Sequence, residues 1–314
     1  MKKKAIIIGI KGLQLNRIEK KILSKERPWG VILFERNIGN FIQTKKLISS
    51  IRSYAKDKNY PILIDEEGCR VTRIKNLARN LIPQKLFGDI FIQNKEFSKK
   101  ILKQYLISVI KNLKDLGFNI NTVPVLDVLY TKSHDIIGDR SFSHKTKIIN
   151  ELGDLYLDTY KKSQFGTVMK HIPGHGLSMS DSHKRLPIIK KKLSYLIKND
   201  FSCFKKKQSF FAMTGHLLFP KIDRNNCVTH SKKIIKKIIR EKIGFKGILI
   251  SDDISMKALK FDELQNGIKA LKSGCNLVLY CEPRPLKSLQ LVRKLPHIDK
   301  FTQKKTSQFY KFLR

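Results

Sequence analysis

Short apolar runs alternate along the chain with longer stretches in which apolar residues recur at helical spacing. Residues 5–10, 30–34, 60–64, 119–128, 165–169, 210–213, 247–250 and 276–280 read as strands. Helical periodicity covers 15–23, 44–55, 96–116, 147–164, 192–206, 232–243, 262–273 and 285–294, and 300–314 reads as a basic C-terminal tail or helix. Pro124 sits inside the fourth strand and implies an early end to its pairing, because proline has no amide to donate. No linker, repeat or low-complexity tract interrupts the alternation. Eight βα units in 314 residues predict an α/β fold, a closed (β/α)8 TIM-type barrel forming a single domain over 1–314. A doubly wound open sheet is the alternative, but no G-x-G-x-x-G follows the first strand.

Polar groups fall where such a barrel carries chemistry. Asp65 closes strand three and Asp127 strand four; Lys170 and His171 close strand five, Thr214 and His216 strand six, and Asp252 strand seven. Each alone could be a solvated turn residue or a helix cap, but together they mark the C-terminal rim as a site. Residues 170–187, K-H-I-P-G-H-G-L-S-M-S-D-S-H-K-R-L-P, hold three of the eight histidines. His171 and His175 stand four apart, a metal-binding spacing on a helix. Pro173, Gly174 and Gly176 forbid that helix, so neither metal nor cofactor is expected.

In an extended loop Asp181 and His183 would face the same way, and the carboxylate would orient an imidazole able to give and take a proton. The alternative is an Asp that merely caps a turn. Of Asp252 and Asp253 only one can face the barrel axis. That one could act as a nucleophile, the other as the N-cap of the next helix. Asp65, with Glu66, Glu67, Arg70 and Arg73 nearby, could accept hydrogen bonds from sugar hydroxyls or belong to a surface ion-pair cluster.

The charge changes the picture less than its size suggests. Lys+Arg is 64 against 26 Asp+Glu, a net +38. Nucleic-acid or membrane-surface binding is one reading. However, the excess is mostly lysine, scattered through the helices, and Ile and Asn are abundant too. That pattern fits a coding sequence rich in A and T, so no nucleic-acid partner is expected. Five cysteines without a C-x-x-C argue against disulfides or zinc and for a reducing compartment. The N-terminal apolar run is too short for a signal peptide, and no run suffices to span a bilayer. A cytoplasmic monomer without membrane attachment is expected.

Taken together, several motifs resemble the bacterial β-N-acetylhexosaminidases of glycoside hydrolase family three. They are D-E-E-G-C-R-V-T-R, I-G-D-R-S-F, K-H-I-P-G-H-G followed by D-S-H, and G-I-L-I-S-D-D-I-S-M. The start, K-G-L-Q-L…W-G-V-I-L-F-E-R-N, is similar too. The resemblance implies a (β/α)8 barrel that removes terminal β-linked N-acetylglucosamine from anhydromuramyl-peptide fragments in cell-wall recycling, with retention. By the same resemblance Asp252 is the nucleophile and His183 the acid/base, oriented by Asp181 on a mobile loop. Asp65, Arg73, Arg140, Lys170 and His171 would hold the sugar. The chain departs from the family pattern in three places: Cys69 replaces a glycine, Leu177 often an Asp, and Ile172 the commoner Phe. A phosphorylase on the same fold, using phosphate in place of water, and a non-catalytic nucleic-acid-binding barrel are the alternatives.

Overall fold

The computed structural model describes residues 2–78, 80–131 and 133–314. Eight parallel strands close into a barrel in chain order: β1 (Lys4–Gly9), β2 (Pro28–Leu33), β3 (Ile62–Ile64), β4 (Ile120–Asn121), β5 (Gly166–Ile172), β6 (Phe211–Thr214), β7 (Ile248–Asp253) and β8 (Leu277–Tyr280). Pairing of Ile6, Ile7 and Ile8 with Val278, Leu279 and Tyr280 closes the ring. The two-residue period of each strand sorts its side chains. In β1, Ala5 and Ile7 join the inner cluster with Ile32, Leu63, Val168 and Ile250, while Ile6 and Ile8 pack outward under the helices.

The surrounding helices are α1 (Arg17–Lys21), α2 (Phe41–Ala55), α3 (Gln84–Gln93), α4 (Lys95–Leu116), α5 (Thr146–Lys162), α6 (Leu193–Lys198), α7 (Glu263–Ser273), α8 (Pro285–Lys294) and α9 (Lys300–Phe312). A π-helical segment, Ile234–Lys242, stands between β6 and β7. Sequence-encoded caps start several of them. Asn16 accepts the amides of Ile18 and Glu19, Asn94 that of Phe97, and Asp262 that of Gln265.

Four expectations need correction. The segment between the third strand and the 96–116 helix, which shows no regular pattern in the sequence, contains α3, whose buried positions are only Gln84, Phe87 and Gly88, too few to show a periodicity. Strand four pairs over Ile120–Asn121 alone, and beyond Pro124 only Val125 bridges to Lys170. Strand five runs through Ile172, so Lys170 and His171 lie within it. The 192–206 helix divides into α6 and a 3-10 segment, Asp200–Phe204.

The 300–314 segment is mostly a helix, α9, that closes the bottom of the barrel. Phe309 is fully buried, 5.0 Å from the ring of Phe211, and Thr306 accepts the Trp29 indole N–H at 2.9 Å. The apolar plug leaves the other rim, at the strand C-termini, as the open end.

Candidate active site

At that rim a cleft of about 160 Å3 is walled by Asp65, Arg73, Arg140, Lys170, His171, His183 and Asp252, among others. Seven of the eight site residues expected from sequence line it. The eighth, Asp181, stands behind His183.

Asp65 directly follows β3. Its Oδ1 receives Lys170 Nζ at 2.5 Å and the Thr122 hydroxyl at 2.6 Å, and its Oδ2 receives Arg73 Nη2 at 2.7 Å. Burial pushes the Asp65 carboxyl up, but Lys170 and Arg73 outweigh it and hold it well below the usual carboxylate range. Lys170 Nζ also lies 2.5 Å from Glu67 Oε1, and Glu67 takes Arg140 Nε and Nη2 at 2.7 and 2.8 Å.

Glu67 was not among the expected site residues, although the alternation was legible. In D-E-E, residues 65 and 67 share a face and both reach Lys170. Glu66 turns the other way and accepts from the Thr72 hydroxyl, the Asn80 amide and two backbone N–H groups, so it organises the loop itself. Gly68, with φ +102°, packs so tightly that a Cβ would come within 2.6 Å of the Ile82 carbonyl.

Asp127 is completely buried beyond β4 and holds two histidines. Its Oδ2 accepts the His171 amide at 3.1 Å and faces His171 Nδ1 at 2.7 Å; its Oδ1 accepts the His175 amide at 2.6 Å. A carboxylate facing Nδ1 makes that nitrogen the donor and leaves Nε2 directed elsewhere. His175 is the other member of the apparent metal spacing. Its ring is buried, stacks edge-on to His171 at 5.4 Å, and has its Nδ1 without a hydrogen-bond partner among the described residues. Burial first, and His171 second, pull the His175 pKa down to about 4, so it stays neutral at pH 7. No group of three or more His, Cys, Asp or Glu among the described residues could hold a metal ion. Gly176 lets this loop cross the Val128 backbone, where any Cβ would collide with the carbonyl.

Asp181 and His183 do meet, but through a turn rather than an extended stretch. Asp181 Oδ1 accepts the His183 amide and faces its Nδ1, both at 2.8 Å. The His183 ring is 65% exposed while lining the cleft, so its Nε2 is free to reach a ligand. Asp252 ends β7. Burial pushes its carboxyl up, yet His216, His171 and the Asp253 amide outweigh that and keep it below the ordinary range, hence ionised. Asp253 is not the cap of α7, a role Asp262 fills. It instead accepts from Ser255 and from the Cys281 amide.

A rigid strand-end carboxylate, a loop-borne imidazole and a charged wall between them form the equipment for acetal chemistry. A family model for the Glycosyl hydrolase family 3 N terminal domain matches residues 3–306. The chain belongs to glycosyl hydrolase family 3. The family makes it a glycoside hydrolase, and the curated relatives agree. A protein named Beta-hexosaminidase from Methylobacillus flagellatus is 30% identical over 297 residues, 92% of this chain and 83% of the relative. A Beta-hexosaminidase from Haemophilus influenzae is 31% identical over 308 residues, 93% and 85% of the two chains. Among solved structures, NagZ from Neisseria gonorrhoeae, solved with N-trifluoroacetyl-D-glucosamine, superposes with a TM-score of 0.89 at 26% identity. That match covers 100% of this chain and 90% of the Neisseria one. A Paenibacillus family 3 β-N-acetylglucosaminidase, at 23% identity and TM-score 0.86, covers 98% of this chain and 60% of its own, and speaks for the fold.

Proposed function

We propose that the protein is a retaining exo-β-N-acetylglucosaminidase that removes terminal β-linked N-acetylglucosamine from (anhydro)muramyl-peptide fragments during peptidoglycan recycling in the cytoplasm. The observation that carries this reading is that Asp252 and His183 face one cleft whose wall also includes Asp65, Arg73, Arg140, Lys170 and His171. At about 160 Å3 the cleft is smaller than the ~300 Å3 at which drug-sized pockets begin, which suits one terminal sugar.

Asp252 is the nucleophile. Its ionised oxygen attacks the anomeric carbon while His183, its Nδ1–H held by Asp181, delivers the Nε2 proton to the departing glycosidic oxygen. A covalent glycosyl-Asp252 ester remains and the aglycone leaves. His183, now neutral, takes a proton from water, the hydroxide equivalent attacks the same carbon, and the Asp252–sugar bond breaks. Two displacements at one centre retain its configuration. The exposed His183 loop suits a group that closes over the sugar and opens for release. Among the described residues no helix is long and apolar enough to cross a membrane. The protein acts as a monomer on a small-molecule substrate, without a nucleic-acid partner.

Release of nitrophenol from p-nitrophenyl N-acetyl-β-glucosaminide tests the activity, and Asp252→Ala should abolish it. Full activity in that variant sinks the assignment. Repeating the assay with added inorganic phosphate separates the acceptors: free N-acetylglucosamine at an unchanged rate means hydrolysis, a sugar 1-phosphate means phosphorolysis. Cleavage of an N-acetylglucosaminyl-anhydromuramyl-peptide tests the natural substrate.

A further inference from the structure

Five charged side chains at the rim form one alternating chain, Arg73–Asp65–Lys170–Glu67–Arg140, with successive separations of 2.7, 2.5, 2.5 and 2.7 Å. Four of the five wall the cleft. Glu67 stands behind them with a side chain only 2% exposed, and both its oxygens are spent on the two neighbouring cations. Without Glu67, three cations would share the single carboxylate of Asp65. Lys170, 4% exposed at its side chain, would then be a buried ammonium short of a partner, a costly arrangement that favours reorientation or loss of its proton.

The donor count sharpens the point. Lys170 Nζ has three protons and three partners: Asp65, Glu67 and, longest at 3.1 Å, the Thr122 hydroxyl. Arg140 commits Nε and Nη2 to Glu67 and Nη1 to the Ile136 carbonyl, which leaves one N–H on each terminal nitrogen. Glu67 thus fixes which donors remain for a ligand and where they point. Its carboxyl is pushed up by burial, but Arg140 and Lys170 together hold it below the ordinary range, so it contributes a full negative charge.

We infer that Glu67 is a positioning residue for sugar recognition: it keeps Lys170 charged and aims Arg140 so that the two free N–H groups of Arg140 meet the sugar hydroxyls. The inference rests on the site being the sugar site proposed above. It assigns Glu67 no contact with the substrate and no proton transfer.

Glu67→Gln keeps the shape and removes the charge. The expected result is a rise of roughly tenfold or more in KM for the nitrophenyl glycoside, with kcat changed much less. Discrimination against deoxy-sugar glycosides should collapse in the variant, because the hydroxyls they lack are the ones Arg140 no longer grips. A purely structural Glu67 would instead lower the melting temperature and the active fraction while leaving KM and the deoxy discrimination alone. A KM within twofold of wild type overturns the inference. If Glu67→Gln does not fold, Glu67→Asp keeps the charge on a shorter arm that cannot reach both cations. It should then show a raised KM with a near-normal melting temperature, and an unchanged KM overturns the idea. If the wild-type protein cleaves no glycoside, the proposed activity fails separately. Calorimetric titration with N-acetylglucosamine then decides Glu67, equal affinity in wild type and variant counting against it.

Discussion

Asp127 Oδ2 lies 2.7 Å from His171 Nδ1 while accepting the amide of the same residue, so one carboxylate fixes both the backbone and the ring of His171. The other oxygen holds the His175 amide, at the root of the loop that carries His183. The proposed sugar-holding histidine and the root of the loop therefore share a buried group. Asp127→Asn presents an N–H to donors and invites the other His171 tautomer, reversing what Nε2 offers the cleft. A loss of roughly 100-fold in kcat/KM is expected, below the ~10⁴ of a mis-set tautomer in a proton-transferring His–Asp pair, because no proton transfer is assigned to His171. The nitrophenyl assay on folded variant checks it, and an unchanged kcat/KM would mean that the pair is only structural.

In the proposed mechanism His183 acts by proton transfer, which matters most when the leaving group is poor. His183→Ala should slow cleavage of an alkyl or sugar aglycone by about 10²–10⁴-fold. The nitrophenyl glycoside should lose less in its first step, because nitrophenolate departs without help. Added azide should then speed breakdown of the intermediate. Equal losses for good and poor leaving groups would remove His183 from the acid role.

His175 ties stability to pH. Its ring stays neutral in the fold down to about pH 4, whereas in the unfolded chain it takes a proton near 6.5. Between those values the unfolded state binds more protons, so stability falls as pH drops, by up to about 3 kcal/mol at ~1.4 kcal/mol per unit. Asp200 has the opposite sign: burial pushes it up to about 6, so the fold holds its proton and its contribution is lost as pH rises. That term cancels when wild type is compared with His175→Gln. The stability difference between the two should change by up to about 3 kcal/mol between pH 7 and 4 in urea titrations. A difference constant across that range would contradict the buried, neutral assignment.

The C-terminal helix is part of the core. Phe309→Ala empties a fully buried site between Phe211, Phe210 and Phe312 and should cost ~3–5 kcal/mol. The denaturation midpoint measures this, and a cost below about 1 kcal/mol would show that α9 is a loose appendage.

The strand count and four residues of the cleft wall, Asp65, Lys170, His171 and Asp252, were legible from position because strand ends in a barrel converge whatever lies between them, whereas His183 came from its spacing to Asp181 and Arg73 and Arg140 from the family resemblance alone. Less legible were features set by tertiary partners. Helix α3 has five apolar residues but buries only Phe87 among them, and is fixed by contacts such as Ser98 to the Phe87 carbonyl at 2.6 Å. Glu67 looked like one more surface charge until Lys170 and Arg140 arrived from distant segments. Cys69, one of the departures from the resembled family pattern, has φ +50°, a conformation that glycine adopts without strain. Leu177 is half-buried against the outer core, so the departure in the loop is taken up by packing.

The central claim is a covalent bond between the sugar and Asp252. A 5-fluoro analogue of an N-acetylglucosaminyl fluoride forms such an ester faster than water removes it, and peptide mass spectrometry locates the adduct. The account predicts one added sugar on the peptide containing Asp252 and none in Asp252→Ala. A label on any other residue, or turnover with inverted configuration and no label, would contradict it.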